Sequence, residues 1–384
     1  MTQLPAPDAA ALAASEQLCA LIGAEIDAAG GWLPFSVYME RALYAPGLGY
    51  YAAGSAKLGA GGDFTTAPEL TPLFGTTLAR QIAELLPQTG GTVYEFGAGS
   101  GRLAADLLER LAELGQLPER YVIIDLSPDL IDRQRALLAD KAPQWLDRVH
   151  WASELPERLD GVVIGNEVLD AMPCELVARG ERGAVLRRGV VREGTGFAFA
   201  DRPADAALAE HAGVCLPAIA GYVSEVSPAN AAFVSTLAAR LARGAIILID
   251  YGFPRAEYYH PQRSRGTLIG HYRHHTVDDP FFLPGLMDLT CHVDFTAVAE
   301  AGLLAGLDLI GYLSQAQFLV NAGLADELSR LDSSDTARYA PQAAAAQKLV
   351  SPAEMGELFK VVAFGRGVGI DWAGFTQGDR CHTL

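Results

Sequence analysis

The chain has 384 residues, half of them apolar, and a formal net charge of −17. That length and apolar content can bury the core of one large α/β domain or of two, which excludes a disordered chain. The acidic balance excludes a general electrostatic grip on nucleic acid, where Lys and Arg must neutralise phosphates.

Residues 1–30 are rich in Ala but have neither a basic leader nor a continuous apolar stretch. They read as neither a secretory signal nor an Arg-rich transit peptide. Leu12, Leu18, Leu21, Ile22 and Ile26 recur at helical spacing, which predicts an amphipathic helix packed on the body. No apolar run reaches bilayer-spanning length, so the chain is expected to be soluble, with no membrane partner. Cys19, Cys174, Cys215, Cys291 and Cys381 are odd in number and contain no C-x-x-C pair. They offer neither a disulfide framework nor a zinc site and fit a reducing, cytoplasmic compartment.

Short apolar runs at 92–96, 121–126, 149–151 and 161–165 alternate with helical patterns at 103–114 and 130–138. This alternation predicts βαβ units and a doubly wound, mostly parallel α/β sheet. The stretch 175–200 alternates apolar with charged residues between Gly180, Gly183, Gly189, Gly194 and Gly196, as a hairpin or meander inserted after the fourth strand would. Residues 203–223 read as a linking segment. A helix is expected over 230–243 with Gly244 as its C-cap, followed by a central strand at 245–251. Residues 251–294, punctuated by Pro and Gly, read as a long functional loop. The sheet continues near 307–313 and ends at 359–364.

The segment Glu95-Phe96-Gly97-Ala98-Gly99-Ser100-Gly101 follows a predicted strand and precedes a predicted helix. Its turn must be tight, and its backbone must approach something closely. A dinucleotide fingerprint would need glycine where the chain has Arg102, and no P-loop lysine follows, so phosphate cradles are disfavoured. Glu95 would place negative charge beside the ligand, which suits a molecule carrying an ammonium and a sulfonium. S-adenosylmethionine carries both, with S-adenosylhomocysteine as its product. Asp125, with Leu126 beside it, closes the next strand, where such folds place the acceptor for the ribose hydroxyls. Glu95, Phe96, Gly97, Ala98, Gly99, Gly101, Asp125, Leu126 and Asn166 are therefore candidate cofactor contacts. A glycine turn that serves packing alone is the alternative.

Asn166-Glu167-Val168-Leu169-Asp170 follows the fourth run, at the carboxyl edge of the sheet. Methyl transfer is an in-line displacement at an activated carbon, so a protein mainly aligns the acceptor and manages charge. Glu167 and Asp170 could orient a nitrogen acceptor, a guanidinium by bidentate hydrogen bonds, and take its proton. The competing reading is that these acids cap the following helix.

In these pieces the chain resembles the MidA-like methyltransferases, whose mitochondrial member is a complex I assembly factor that dimethylates a protein arginine. Further matching pieces are Leu43-Tyr44-Ala45-Pro46 with Gly49-Tyr50-Tyr51, then Gly62-Asp63-Phe64-Thr65-Thr66-Ala67-Pro68-Glu69, Arg102-Leu103, Ile249-Asp250-Tyr251-Gly252 and Asp288-Leu289-Thr290-Cys291-His292-Val293-Asp294-Phe295. They occur in the family's order over most of the chain. The resemblance implies a class I methyltransferase (Rossmann-like) fold, and an arginine-bearing protein as substrate. It also implies that residues 62–69 cover the cofactor, with Asp63 and Thr65 or Thr66 on its methionine portion. Residues 266–268 and 288–295 would line the acceptor cleft. Asp125 stands where the family commonly has Glu, and Val168-Leu169 where aromatics are common. The implied division is an N-terminal helical region with the covering loop (1–90), a methyltransferase core (91–174 and 224–384, with the cleft loop 251–295) and the inserted meander (175–223).

His292, between Asp288 and Asp294, is a candidate proton acceptor or a structural hydrogen-bonding group. His271, His274 and His275 lack acidic or cysteine partners at defined spacing, so no metal site is expected. Tyr50, Tyr51 and Trp32 are expected to pack the N-terminal helices rather than cover the cofactor. Competing functions are a small-molecule methyltransferase, an assembly factor that uses the fold to bind a partner, and a nicotinamide dehydrogenase. A homodimer is an open alternative.

Overall fold

A computed structural model of the chain describes residues 4–52 and 66–384. The described residues form two compact units. A sheet unit holds 66–168, Ala231–Phe253 and Phe295–Leu384, and a meander unit holds 4–52, Leu169–Asn230 and Pro254–Asp294. These boundaries differ from the expected division, because 66–90 packs with the sheet and 254–294 with the N-terminal helices.

The sheet unit contains β1 (Thr92–Phe96), β2 (Arg120–Ile124), β3 (Val149–Ala152), β4 (Leu159–Asn166), β5 (Leu241–Phe253), β6 (Asp308–Ser314) and β7 (Phe359–Arg366). Their order is β6-β7-β5-β4-β1-β2-β3. β3, β2, β1, β4 and β5 pair in parallel, whereas β7 pairs antiparallel with both β5 and β6. Of these seven, β6 therefore runs with the parallel set and β7 is reversed, which is the doubly wound, mostly parallel sheet expected. Val93, Val162, Ile164, Ala245 and Ile247 are buried on one face, against helices that include Pro72–Leu85 and Arg102–Glu113. Leu107, Leu108 and Leu111 of the latter helix are fully buried, each contributing about 1.5–3 kcal/mol.

Crossovers leave β1 toward β2 on one side and β4 toward β5 on the other. Phe96 and Gly165, near the carboxyl ends of β1 and β4, are register partners. The order of the sheet reverses between these neighbours, and such a switch point opens a crevice at the strand ends.

Gly244 is not a C-cap. The helix Pro228–Arg240 ends earlier, and Gly244 lies inside β5 at φ 142°, where a Cβ would meet the Gly161 carbonyl oxygen at 1.8 Å. The residue is glycine because two backbones touch there.

The meander unit has a five-stranded sheet in the order Leu33–Pro34, Val185–Glu193, Glu175–Arg179, Val223–Val226, with Gly196–Pro203 also pairing with Val185–Glu193. The expected meander is present. The linking segment contains a helix, Ala206–Cys215, capped by Asp205, whose carboxylate accepts from the Leu208 amide at 2.9 Å. Residues 251–294 are not one long loop, because Ile269–Tyr272, His275–Val277 and Asp288–Thr290 form a three-stranded sheet. Arg273 and His274, at φ 47° and 62°, make the hairpin turn that joins the first two. Two left-handed residues without glycine are hard to read as a hairpin from sequence.

The N-terminal helix Ala9–Ala28 is capped by Asp8, which accepts from the Ala11 amide at 2.8 Å. Among the described residues this helix is long and apolar enough to cross a membrane by length and composition, which corrects the expectation that no such run exists. Its many alanines raise the mean hydropathy although Glu16 and Glu25 interrupt the apolar run. Leu18, Ile22 and Ile26 are buried in the unit's core with Phe35, Tyr38 and Met39.

Candidate active site

The crevice at the switch point begins with the glycine turn. Gly97, Gly99 and Gly101 have φ of 62°, 54° and 87°, in the left-handed region that other residues resist. A Cβ on Gly101 would lie 3.1 Å from the Gln134 Cα, and one on Gly97 would lie 3.2 Å from Val168 Cγ2. The turn is thus held open by missing side chains, and it leads into the helix at Arg102. The Ser100 hydroxyl donates to Glu69 and accepts from the Arg102 amide at 3.2 Å.

Glu95 departs from the simple picture of a charge at the strand's tip. It is 2% exposed, and the Tyr121 hydroxyl donates to it at 2.6 Å. Burial pushes its carboxyl up to about 7, against the lowering effect of Tyr121 and with a further push from the Asp125 charge. Near neutral pH this group is poised between protonation states.

Asp125 follows β2 directly. Its carboxylate accepts from the Ser127 amide at 2.9 Å and from the Gln134 amide nitrogen at 2.8 Å. Burial raises its pKa, and these hydrogen bonds oppose the rise. Gln134 is fully buried; its nitrogen also donates to the Gly99 carbonyl at 3.1 Å, and its oxygen accepts from Trp151 Nε1 at 2.9 Å. One side chain therefore ties the glycine turn, the acid after β2 and β3 together. The sequence reading missed it, since a lone Gln on a charged helix carries little signal. Leu126, beside Asp125, is 76% exposed, an apolar surface open at the strand edge.

At the end of β4, Asn166 Nδ2 donates to Glu167 Oε1 at 3.1 Å, while Asn166 Oδ1 is buried with no hydrogen-bond partner among the described residues. Glu167 sits at φ 54°, and its amide donates to the Ile249 carbonyl at 2.9 Å. A non-glycine residue in this region stores strain that the flanking strands must hold. Glu167 thus lies in the sheet unit, and Asp170, three residues on, in the meander unit.

Within the meander unit, Asp170 is 5% exposed and its carbonyl accepts from the Cys291 amide at 3.0 Å. The His292 amide donates to Thr267 Oγ1 at 3.0 Å. Glu225, 1% exposed, accepts from the amides of Thr267 and Leu268 at 2.8 Å each and from Tyr258 at 3.0 Å. That carboxylate fixes residues 266–268, a role with no signal in the residues around Glu225. Asp63 and Thr65 lie outside the described residues; Thr66 precedes the short helix Ala67–Leu70 and makes no side-chain cap. Among the described residues no group of three His, Cys, Asp or Glu is arranged to hold a metal.

These residues fit S-adenosylmethionine. A turn with its backbone bare suits close approach of a ligand, and an acid pinned beside an exposed leucine suits a ribose with its adenine. A buried carboxyl raised to about 7 suits a cation, and an amide oxygen with no partner among the described residues suits a donor.

Residues 77–313 match the family described as S-adenosyl-L-methionine-dependent methyltransferase. The chain belongs to this family. The protein arginine methyltransferase NDUFAF7, mitochondrial, of Danio rerio is 30% identical over 85% of this chain and 82% of its own length. The human protein of that name is 27% identical over 87% and 80%. A crystal structure from Burkholderia thailandensis, bound to S-adenosyl-homocysteine, is 54% identical, covers 100% of both chains and superposes with a TM-score of 0.97. The chain is thus a class I methyltransferase that uses S-adenosylmethionine, and the MidA-like resemblance is borne out. The cytoplasmic expectation is not: the relatives are named mitochondrial, which overturns it. Free cysteines report a reducing environment rather than an address, and more than one compartment meets that condition.

Proposed function

We propose that this methyltransferase acts on a nitrogen of an arginine side chain in a protein. The observation that carries the reading is the similarity along most of the chain to relatives named protein arginine methyltransferases. The carboxylates after β4 support it, because a guanidinium remains protonated in water and needs anionic partners.

When bound, S-adenosylmethionine supplies a methyl carbon activated by its sulfonium. In this reading Phe96, Gly97, Ala98, Gly99 and Gly101 hold it through their backbone, and Asp125 accepts from the ribose hydroxyls. Leu126 lies against the adenine, Asn166 accepts from a donor of the ligand, and Glu95 meets its positive charge. Asp63, Thr65 and Thr66 are proposed contacts of the methionine portion. Glu167 orients the guanidinium and receives the proton that the nitrogen loses. The strained backbone at Glu167 aims its carboxylate with little freedom, which favours alignment over binding.

The test is to incubate the protein with isotopically labelled cofactor and a cell lysate, and to locate the label by mass spectrometry. Label on arginine nitrogen of proteins supports the reading. Label on small molecules or on other side chains contradicts it, as does binding of the cofactor without any transfer.

A further inference from the structure

The segment Leu43-Tyr44-Ala45-Pro46 with Gly49-Tyr50-Tyr51 has no part in the chemistry above, yet its backbone is closely specified. After the helix Phe35–Tyr44 the chain doubles back, with the Gly49 amide on the Ala45 carbonyl at 2.7 Å and the Tyr51 amide on the Leu43 carbonyl at 2.8 Å. A Cβ on Gly49 would lie 2.7 Å from the Leu43 carbonyl oxygen, so only glycine allows the return. The result is a stack: the Tyr44 and Tyr51 rings lie 5.5 Å apart at 21°, with Tyr50 edge-on to Tyr51 at 5.0 Å.

Behind the stack stands a carboxylate. The Tyr51 hydroxyl donates to both oxygens of Asp288, at 3.0 and 2.9 Å, and Asp288 is 1% exposed. Desolvation, then the charges of Asp288 and Asp170, push the Tyr44 hydroxyl well above its usual range. Tyr51 is raised by the same causes, with its neighbours Tyr44 and Tyr50 adding to them. Both phenols therefore stay protonated, and both feel the two carboxylates. Tyr44 as a residue is nonetheless 38% exposed, while its hydroxyl donates to the Ala171 carbonyl at 3.0 Å.

A separate observation concerns Thr290. Met287, Leu289 and Cys291 face the unit's core, so alternation along the strand puts Asp288 and Thr290 on its opposite face. Thr290 is 2% exposed, and its hydroxyl has no hydrogen-bond partner among the described residues. A buried hydroxyl with nothing to bind costs stability unless a ligand completes it.

We propose that the Tyr44–Tyr51 stack, backed by Asp288 and Thr290, is a seat for a planar organic cation, the guanidinium of the acceptor arginine. The aromatic face attracts the cation through its quadrupole. A carboxylate buried at low dielectric adds attraction that water would otherwise screen. A planar guanidinium stacks on such a face where a round ammonium cannot. This inference rests on the arginine reading.

The test uses the full chain saturated with S-adenosylhomocysteine and two probes, Nα-acetyl-arginine methylamide and its neutral citrulline counterpart, titrated by NMR. The seat predicts that arginine binds at least about tenfold more tightly than citrulline, and that Tyr44→Leu removes about tenfold of the arginine affinity. Tyr44→Phe, which keeps the aromatic face, should stay within about twofold, and Asp288→Asn should weaken arginine while leaving citrulline unchanged. Unaltered S-adenosylhomocysteine affinity shows that each variant is folded. The proposal is overturned if Tyr44→Leu and Asp288→Asn retain wild-type arginine affinity, or if the wild type binds both probes alike or neither. Should Tyr44→Leu still methylate arginine at the wild-type rate in the labelled lysate, the seat fails and the arginine reading stands. Label found only on another side chain removes both.

Discussion

The glycine turn after β1 and the tyrosine stack before Asp288 solve similar problems by different means. The turn is nearly all backbone: three glycines at positive φ within five residues, held from behind by Gln134. The stack is nearly all side chain, assembled from residues far apart in the chain, with Tyr51 and Asp288 separated by 237 positions. A backbone site tolerates few substitutions because a single Cβ collides. A side-chain site can be tuned, since each group can be exchanged without moving the others. A cofactor common to a family suits the first kind of site, and an acceptor suits the second.

That contrast can be broken in graded steps. The largest effect is expected from Glu167→Gln, which keeps shape and strain but loses the charge. It should lower kcat by about 100-fold or more while S-adenosylhomocysteine affinity stays within about twofold, read by single-turnover kinetics and calorimetry. A loss of affinity matching the loss of rate would instead place Glu167 among the groups that hold the cofactor.

Next comes Gln134→Leu, which leaves the Gly99 carbonyl, the Asp125 carboxylate and Trp151 Nε1 without their shared partner. It should raise KM for S-adenosylmethionine about tenfold with kcat nearly unchanged, and lower stability by about 1–3 kcal/mol. Gln134→Glu, which retains the acceptor but repels Asp125, should bind the cofactor no better.

Smaller and dependent on pH is the effect of Glu95. Its carboxyl in the folded chain is raised from 4.5 to about 7, so below about pH 4.5 both folded and unfolded chains carry the proton and the group is neutral in its effect. As pH rises from there the unfolded chain ionises first, and folding stability falls until the folded group ionises near 7. Glu95→Gln should flatten thermal melts across that window. The cation favours the ionised carboxylate, so cofactor affinity of the wild type should rise a few-fold from pH 6 to 8, and that slope should vanish in the variant. A parallel slope in both would show that Glu95 does not sense the ligand.

The parts legible from sequence were those governed by short range. β1, β2, β4 and β5 announce themselves as apolar runs because both faces of a parallel sheet are covered. Gly97, Gly99 and Gly101 announce the turn because no other residue takes those angles cheaply. Gly244 was misread because its reason is Gly161, a strand away, and local periodicity saw only the end of a helix. The hairpin at Arg273 and His274 was read as loop because it lacks the glycine that usually marks such turns. Gln134 and Glu225 were silent because a buried polar side chain is defined by its partners, and those partners come from other segments. Thr66 was named through resemblance, and its place before Ala67–Leu70 gives it no capping role that would compete with a ligand.

The central claim is that the turn at the switch point holds the cofactor through its bare backbone. Calorimetric titration of Gly101→Val with S-adenosylhomocysteine, beside the wild type, tests it most directly, because the new side chain would press on the Gln134 backbone and displace the turn from the support behind it. The account predicts saturable binding by the wild type and at least a 100-fold weaker affinity, on the order of 3 kcal/mol, in a variant that remains folded by circular dichroism. Equal affinity in the two proteins would contradict it.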